Sequence, residues 1–156
     1  MSEWTFSTAT LEDLESILKL EKLSFRNPWS RRAIEEELRR EDAYCYVLNR
    51  ISDLGGTAAL GYAIFRVILN EIHVMRICID PAWRRRGAAS CLLDSSIRRL
   101  NRLRADRMLL EVRAGNEAAI RLYEKSGFRP IGKRTRYYLD NGEDALVMQR
   151  DSKEEP

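Results

Sequence analysis

The chain has 156 residues, 44% hydrophobic and 33% charged, a composition that excludes disorder and fits a soluble globular protein. That length predicts one domain over residues 1–150 with no need of a disulfide or metal staple, since chains divide only beyond about 250 residues. Twenty-seven Lys and Arg against 24 Asp and Glu leave a net charge of only +3, and 22 of the 27 are Arg, the better forked ligand for phosphate.

Taken in order, Thr10 with Asp13 resembles a capping box, and Leu11, Leu14, Ile17, Leu18 and Leu23 follow at helical spacing. Asn27-Pro28 breaks that helix, and Ser30 caps a second one running to about Arg40. Strand-like runs follow at Tyr44 to Asn49, Ala58 to Leu69 and Glu71 to Ile79, with turns at Gly55-Gly56 and Leu69-Asn70-Glu71. Pro81 stops the third run. A helical pattern covers Arg86 to about Leu103, and Met108 to Val112 is a short apolar strand. Asn116 caps a helix ending at Lys125, with Gly127 just past it. Two last strands, about Phe128 to Tyr138 and Ala145 to Gln149, flank the turn Asp140-Asn141-Gly142. The tail DSKEEP, residues 151–156, has the composition of a solvated end. The order β-α-α-β-β-β-α-β-α-β-β predicts an α/β fold, a mixed sheet with helices on both faces.

Several chemistries are excluded. Cys45, Cys78 and Cys91 form no CxxC pair and there is one His, so no metal is expected and a Ser-His-Asp triad would have to use His73. No apolar stretch reaches 18 residues, and the opening MSEWTFSTAT lacks the basic flank and apolar run of a signal peptide. Few, unpaired cysteines suit a reducing cytoplasm, and no membrane partner is expected.

The most informative segment runs from Ile77 through Asp80-Pro81 to Arg84-Arg85-Arg86-Gly87-Ala88-Ala89-Ser90, a strand feeding a helix through a basic turn. Cations are unfavourable at a helix N-terminus, where backbone N–H groups lack partners. An anion resolves the conflict, with the N–H groups and arginines around a phosphate and Gly87 and Ala89 leaving it room. A solvated basic turn, or a patch touching nucleic acid, remains the alternative. The spacing is neither GxxxxGK[ST] nor GxGxxG.

Arg84-x-x-Gly87-x-Ala89 resembles the (R/Q)xxGx(G/A) pyrophosphate loop of the GNAT superfamily of N-acetyltransferases. Asn27-Pro-Trp-Ser30, the segment Leu110 to Phe128 (LEVRAGNEAAIRLYEKSGF), and Arg136-Tyr-Tyr with Gly142-Glu-Asp-Ala145 sharpen the resemblance to the RimI-type, ribosomal-protein-alanine branch. It covers Thr8 to Met148. It implies the GNAT fold, a mostly antiparallel central sheet, and acetyl-CoA as co-substrate.

The resemblance makes Glu111 the general base and Tyr123 the general acid. Unaided, Glu111 reads as a surface carboxylate beside an arginine, and Tyr123 as core packing. It also implies that Ile77, Cys78 and Ile79 offer backbone to the pantetheine arm, that Arg84 to Ser90 take the diphosphate, and that Asn116 contacts the cofactor while capping its helix. Cys78 reads as a small buried apolar residue, which favours direct transfer over an acetyl-cysteine. His73 stays outside the catalytic set; by alternation it shares a face with Met75 and Ile77.

Phe25, Pro28 and Trp29 would form one wall of an acceptor groove, or a hydrophobic staple between the first two helices. Tyr137 and Tyr138 would form the other wall, although on one strand they point to opposite faces. The implied acceptor is a protein N-terminus, an alanine of a ribosomal small-subunit protein. A broader N-terminal enzyme and a small-molecule amine acetyltransferase of the same fold remain open. So does a ribosome- or RNA-binding module, against which the aromatics are not interleaved with the basic residues; no direct nucleic-acid contact is expected.

Overall fold

A computed structural model describes residues 3–151. Strand β1 (Trp4–Thr8) leads through a short 3-10 turn into helix α1 (Leu14–Ser24). The capping box forms: the Thr10 hydroxyl accepts from the Glu12 N–H, and the Asp13 carboxylate accepts from the Thr10 N–H at 2.8 Å. Helix α2 (Arg31–Arg39) starts at Ser30, whose Oγ accepts from the Ala33 N–H. Then come β2 (Ala43–Ile51), β3 (Thr57–Ile68), β4 (Glu71–Ile79), α3 (Ala88–Leu100), β5 (Arg107–Arg113), α4 (Glu117–Lys125), β6 (Arg129–Arg134) and β7 (Ala145–Asp151). This is the predicted order, with seven strands and four α-helices among the described residues.

Two boundaries move, with consequences for the site. Helix α3 opens at Ala88, so Arg86 lies in the preceding turn and not in the helix; Gly87, the cap, has φ +82°, which favours glycine. The sixth strand stops at Arg134 instead of Tyr138, because Arg136 sits at φ +53° and leaves the extended path. Asp151 closes β7; the remainder of the expected tail, 152–156, lies outside the described residues.

The strands form one sheet in the order β1-β2-β3-β4-β5-β7-β6, antiparallel throughout except for β4 with β5. Helices α1 and α2 cover one face, where Ile17, Leu20 and Ile34 pack on Val47, Tyr62 and Ile64. On the other, α3 and α4 place Leu92, Leu93, Ile97 and Tyr123 on Leu48, Phe65, Leu110 and Met148. Each fully buried aliphatic side chain contributes about 1.5–3 kcal/mol. The sheet thus has a core on each side, and a break between its strands connects the two faces.

Candidate active site

That break lies between β4 and β5. They pair only through Glu71 with Arg107, Ile72 with Met108 and His73 with Leu109. Beyond His73 they part, β4 staying on β3 and β5 on β7. The edge of β4 facing away from β3 therefore has no strand partner from Val74 to Ile79. A cleft of about 890 Å³ fills the gap, lined by residues 73–77 of β4, 109–113 of β5, the end of α1, α4 and the loop before β7.

A β-bulge shapes the β4 wall. Ile64 stands opposite Arg76 and Phe65 opposite Val74, so Met75 is an inserted residue. Met75 packs toward α1 and α2, whereas Ile77 packs toward α3. The expectation that Ile77 shares a face with Met75 and His73 therefore fails, because the insertion reverses the alternation. His73 is the last paired residue before the strands part. Its ring lines the cleft, with Nε2 3.7 Å from the Glu71 carboxylate that Arg107 also engages.

Alternation along β5 buries Met108, Leu110 and Val112 against the α3–α4 core and turns Glu111 and Arg113 to the opposite face. Tyr123 sits in that core, 7% exposed and edge-on to Phe128. Glu111 and Tyr123 thus come from opposite sides of the sheet, yet both line the cleft. The parting of the strands makes this possible. Burial, with the Tyr138 hydroxyl adding a smaller push, raises the Tyr123 hydroxyl to about 12. The Glu111 carboxylate lies 3.2 Å from Arg134 Nε and faces Tyr137, whose hydroxyl it raises above its ordinary value, chiefly by favouring the protonated, donating form.

Tyr137 and Tyr138 correct the expectation of opposite faces. They occupy a loop rather than a strand, their rings meet edge to face at 5.2 Å, and both line the cleft. The loop closes on itself through Tyr138 N–H to the Glu143 carbonyl and Gly142 N–H to the Tyr138 carbonyl. Across the cleft, Phe25 lines the wall, but Pro28 is exposed and Trp29 packs into the α1–α2 core, as a staple would.

The basic turn stands at the far end of β4. Arg84, Arg85, Arg86 and Gly87 are exposed, Ala88 is buried, and Ala89 and Ser90 are half-buried. No side chain caps the first N–H groups of α3. Arg86 stacks on Trp83, its Cζ 4.7 Å from the ring centre. Asn116 lines the cleft and its Oδ1 accepts from the Ala119 N–H, the capping role expected of it. Cys78 and Ile79 are buried beyond the cleft, the Cys78 thiol facing the Leu20 carbonyl of α1, and burial pushes that thiol up to about 11.

The sequence from residue 14 to residue 128 matches the Acetyltransferase (GNAT) family. The chain belongs to the GNAT N-acetyltransferases. Among its relatives, the ribosomal protein bS18-alanine N-acetyltransferase of Escherichia coli K12 is 34% identical over 146 residues, 92% of this chain and 95% of that protein. An N-alpha-acetyltransferase of Saccharolobus solfataricus is 29% identical over 161 residues, covering 95% of this chain and 93% of that one. The crystal structure of the Escherichia coli ribosomal-protein-S18-alanine N-acetyltransferase superposes with a TM-score of 0.84 at 31% identity, over 95% of this chain and 93% of that one.

Two clusters at the cleft wall were not foreseen from the sequence. Arg76 of β4 binds the fully buried Glu21 of α1 through two contacts, 3.1 and 3.2 Å, and stacks on Phe25 with Cζ 3.5 Å from the ring centre. Arg113 of β5 binds Asp140 and Glu143 in the tyrosine loop. Each joins residues remote in sequence, so only an unusually placed Arg could have signalled them. Among the described residues no group of His, Cys, Asp and Glu could hold a metal, and no helix is long and apolar enough to cross a membrane.

Proposed function

We propose that this protein transfers acetyl from acetyl-CoA directly to the α-amino group of a protein N-terminus, with an N-terminal alanine of a ribosomal small-subunit protein as preferred acceptor. The observation that carries this reading is the cleft through the sheet, with Glu111 and the two loop tyrosines on one face and Tyr123 on the other. The Escherichia coli relative, named for acting on ribosomal protein bS18, supports the acceptor class. A cytoplasmic setting fits three free cysteines.

The residues present fit acetyl-CoA. The unpartnered edge of β4 can pair with the amides of the pantetheine arm, as a strand would. The uncapped start of α3 and the exposed Arg84, Arg85 and Arg86 suit a diphosphate. Gly87→Ala should raise the KM for acetyl-CoA, because φ +82° is strained for alanine; an unchanged KM in steady-state kinetics would place the diphosphate elsewhere.

Acetyl-CoA supplies the activated acyl group. Tyr137 and Tyr138 hydrogen-bond the backbone of the first acceptor residues, and Phe25 closes the opposite wall. Glu111 takes the proton of the acceptor ammonium through a water. Tyr123, still protonated at neutral pH, gives its hydroxyl proton to the departing sulfur.

Cys78 takes no part. Its thiol is protonated and faces α1, so Cys78→Ala should keep turnover largely intact, and loss of turnover in a folded variant would instead favour an acetyl-cysteine route.

The test is mass spectrometry of short peptides incubated with protein and acetyl-CoA. Acetylation of free N-termini, alanine foremost, is the expected result. Acetylation of polyamines or amino sugars with no peptide product would overturn it.

A further inference from the structure

The loop carrying Tyr137 and Tyr138 has no strand partners between Arg134 and Ala145, and Leu139 at its tip is 98% exposed. Such a loop is mobile unless something holds it. The guanidinium of Arg113 makes most of the side-chain attachments. Its Nη1 and Nη2 reach the two Asp140 oxygens at 3.1 and 2.9 Å, and Nη1 also meets Asn141 Oδ1 at 3.3 Å and Glu143 Oε1 at 3.4 Å. Its Cζ lies 3.9 Å from the centre of the Tyr138 ring. Glu143 Oε2 accepts from the Gly115 N–H at 2.8 Å, and a Cβ at Gly115 would stand 2.8 Å from that oxygen and push the carboxylate aside.

We propose that Arg113 is a positioning residue for the acceptor, holding the 135–144 loop so that Tyr138, and Tyr137 edge-on to it, stand over the Glu111 end of the cleft. The inference rests on the N-terminal acetyltransferase reading. Arg113 lies two residues beyond Glu111 on the same face of β5, so one strand fixes both the base and the acceptor wall. The contacts run from Arg113 under Tyr138 to Tyr138 against Tyr137, whose hydroxyl faces the Glu111 carboxylate. An isolated exposed ion pair would do little. Here one planar group makes a fork and a stack together, which lysine cannot reproduce.

The test is steady-state kinetics of Arg113→Ala, Arg113→Lys and Asp140→Asn on an alanine-starting peptide, with amide hydrogen exchange of residues 135–144 measured without substrate. Arg113→Ala should raise the peptide KM by about tenfold, the scale of one lost cation–π contact. The KM for acetyl-CoA should not move and kcat should change little, while the Tyr138 and Gly142 amides exchange faster. Arg113→Lys should fall between, and Asp140→Asn, which alters only a loop carboxylate, should move peptide KM in the same direction. Asp140→Asn decides the matter should Arg113→Ala not fold. An unchanged peptide KM with unchanged loop exchange in an active enzyme overturns the inference alone, as does an equal loss in both KM values and kcat. A wild type that acetylates no N-terminus overturns the functional reading and takes the inference with it.

Discussion

Glu111→Gln is expected to lower kcat for N-terminal acetylation by about 10²–10⁴-fold at neutral pH, the usual contribution of a positioned base. Glutamine keeps the size of the side chain and an acceptor for the Tyr137 hydroxyl, but it cannot take a proton. Its lost contact with Arg134 is an exposed ion pair of little structural value. The pH dependence separates the roles. An α-ammonium group has a pKa of about 7.7–8.0, so at pH 7 most of the acceptor is protonated and the base is needed. Above about pH 8 the solvent supplies free amine, and the deficit of the variant should narrow. Tyr123→Phe should behave differently. Its ring keeps the packing on Phe128, and a hydroxyl held near 12 loses no proton in that range, so its deficit should stay constant with pH. Rates of both variants from about pH 6.5 to 9.5 decide it. A Glu111→Gln enzyme as fast as wild type at pH 7 would remove Glu111 from the mechanism.

What could be read ahead of the structure followed the range of the interactions concerned. Helix starts are local, so Thr10 with Asp13, Ser30 and Asn116 were legible as caps, and each caps as expected. The element order was equally legible, because apolar periodicity needs no knowledge of the partner strand. The Met75 insertion was not, since a bulge is defined by the strand opposite, and Ile77 consequently changed face. The strand expected to reach Tyr138 failed at Arg136, a residue whose positive φ is stabilised from outside by the Asp144 carboxylate accepting its N–H. At the site, the resemblance proposed Glu111, Tyr123, Phe25, Tyr137 and Tyr138, and the fold brings all five to one cleft. It also proposed Pro28 and Trp29, which stand outside it. Arg76 and Arg113 looked like two more of 22 arginines, because Glu21 is 55 residues from the first and Asp140 is 27 from the second.

Arg76→Ala is expected to destabilise the fold by about 3–5 kcal/mol, the cost of leaving a buried charge without its partner. Glu21 is 0% exposed and its carboxylate has three donors: Arg76 Nε, Arg76 Nη2 and the Trp29 N–H at 3.0 Å. Removing the guanidinium leaves one donor for a charge that water does not reach. Each kcal/mol is worth about 2–4 °C in a domain of this size, so thermal unfolding should show a fall in Tm on the order of 10 °C. Arg76→Met with Glu21→Met should recover part of that loss, since an apolar pair of similar volume carries no buried charge. It should not recover all of it, because the Trp29 N–H would then have no acceptor, a further cost of about 1–3 kcal/mol. The same carboxylate ties the turn after α1 to β4, and the Arg76 guanidinium supports the Phe25 ring on the cleft wall. Stability and acceptor binding should therefore fall together in Arg76→Ala. In the double methionine variant stability should return further than acceptor KM, because neither methionine restores the stacked cation. A Tm within about 2 °C of wild type for Arg76→Ala, a change of at most about 1 kcal/mol, would mean that solvent reaches Glu21 and that the pair contributes little to the fold.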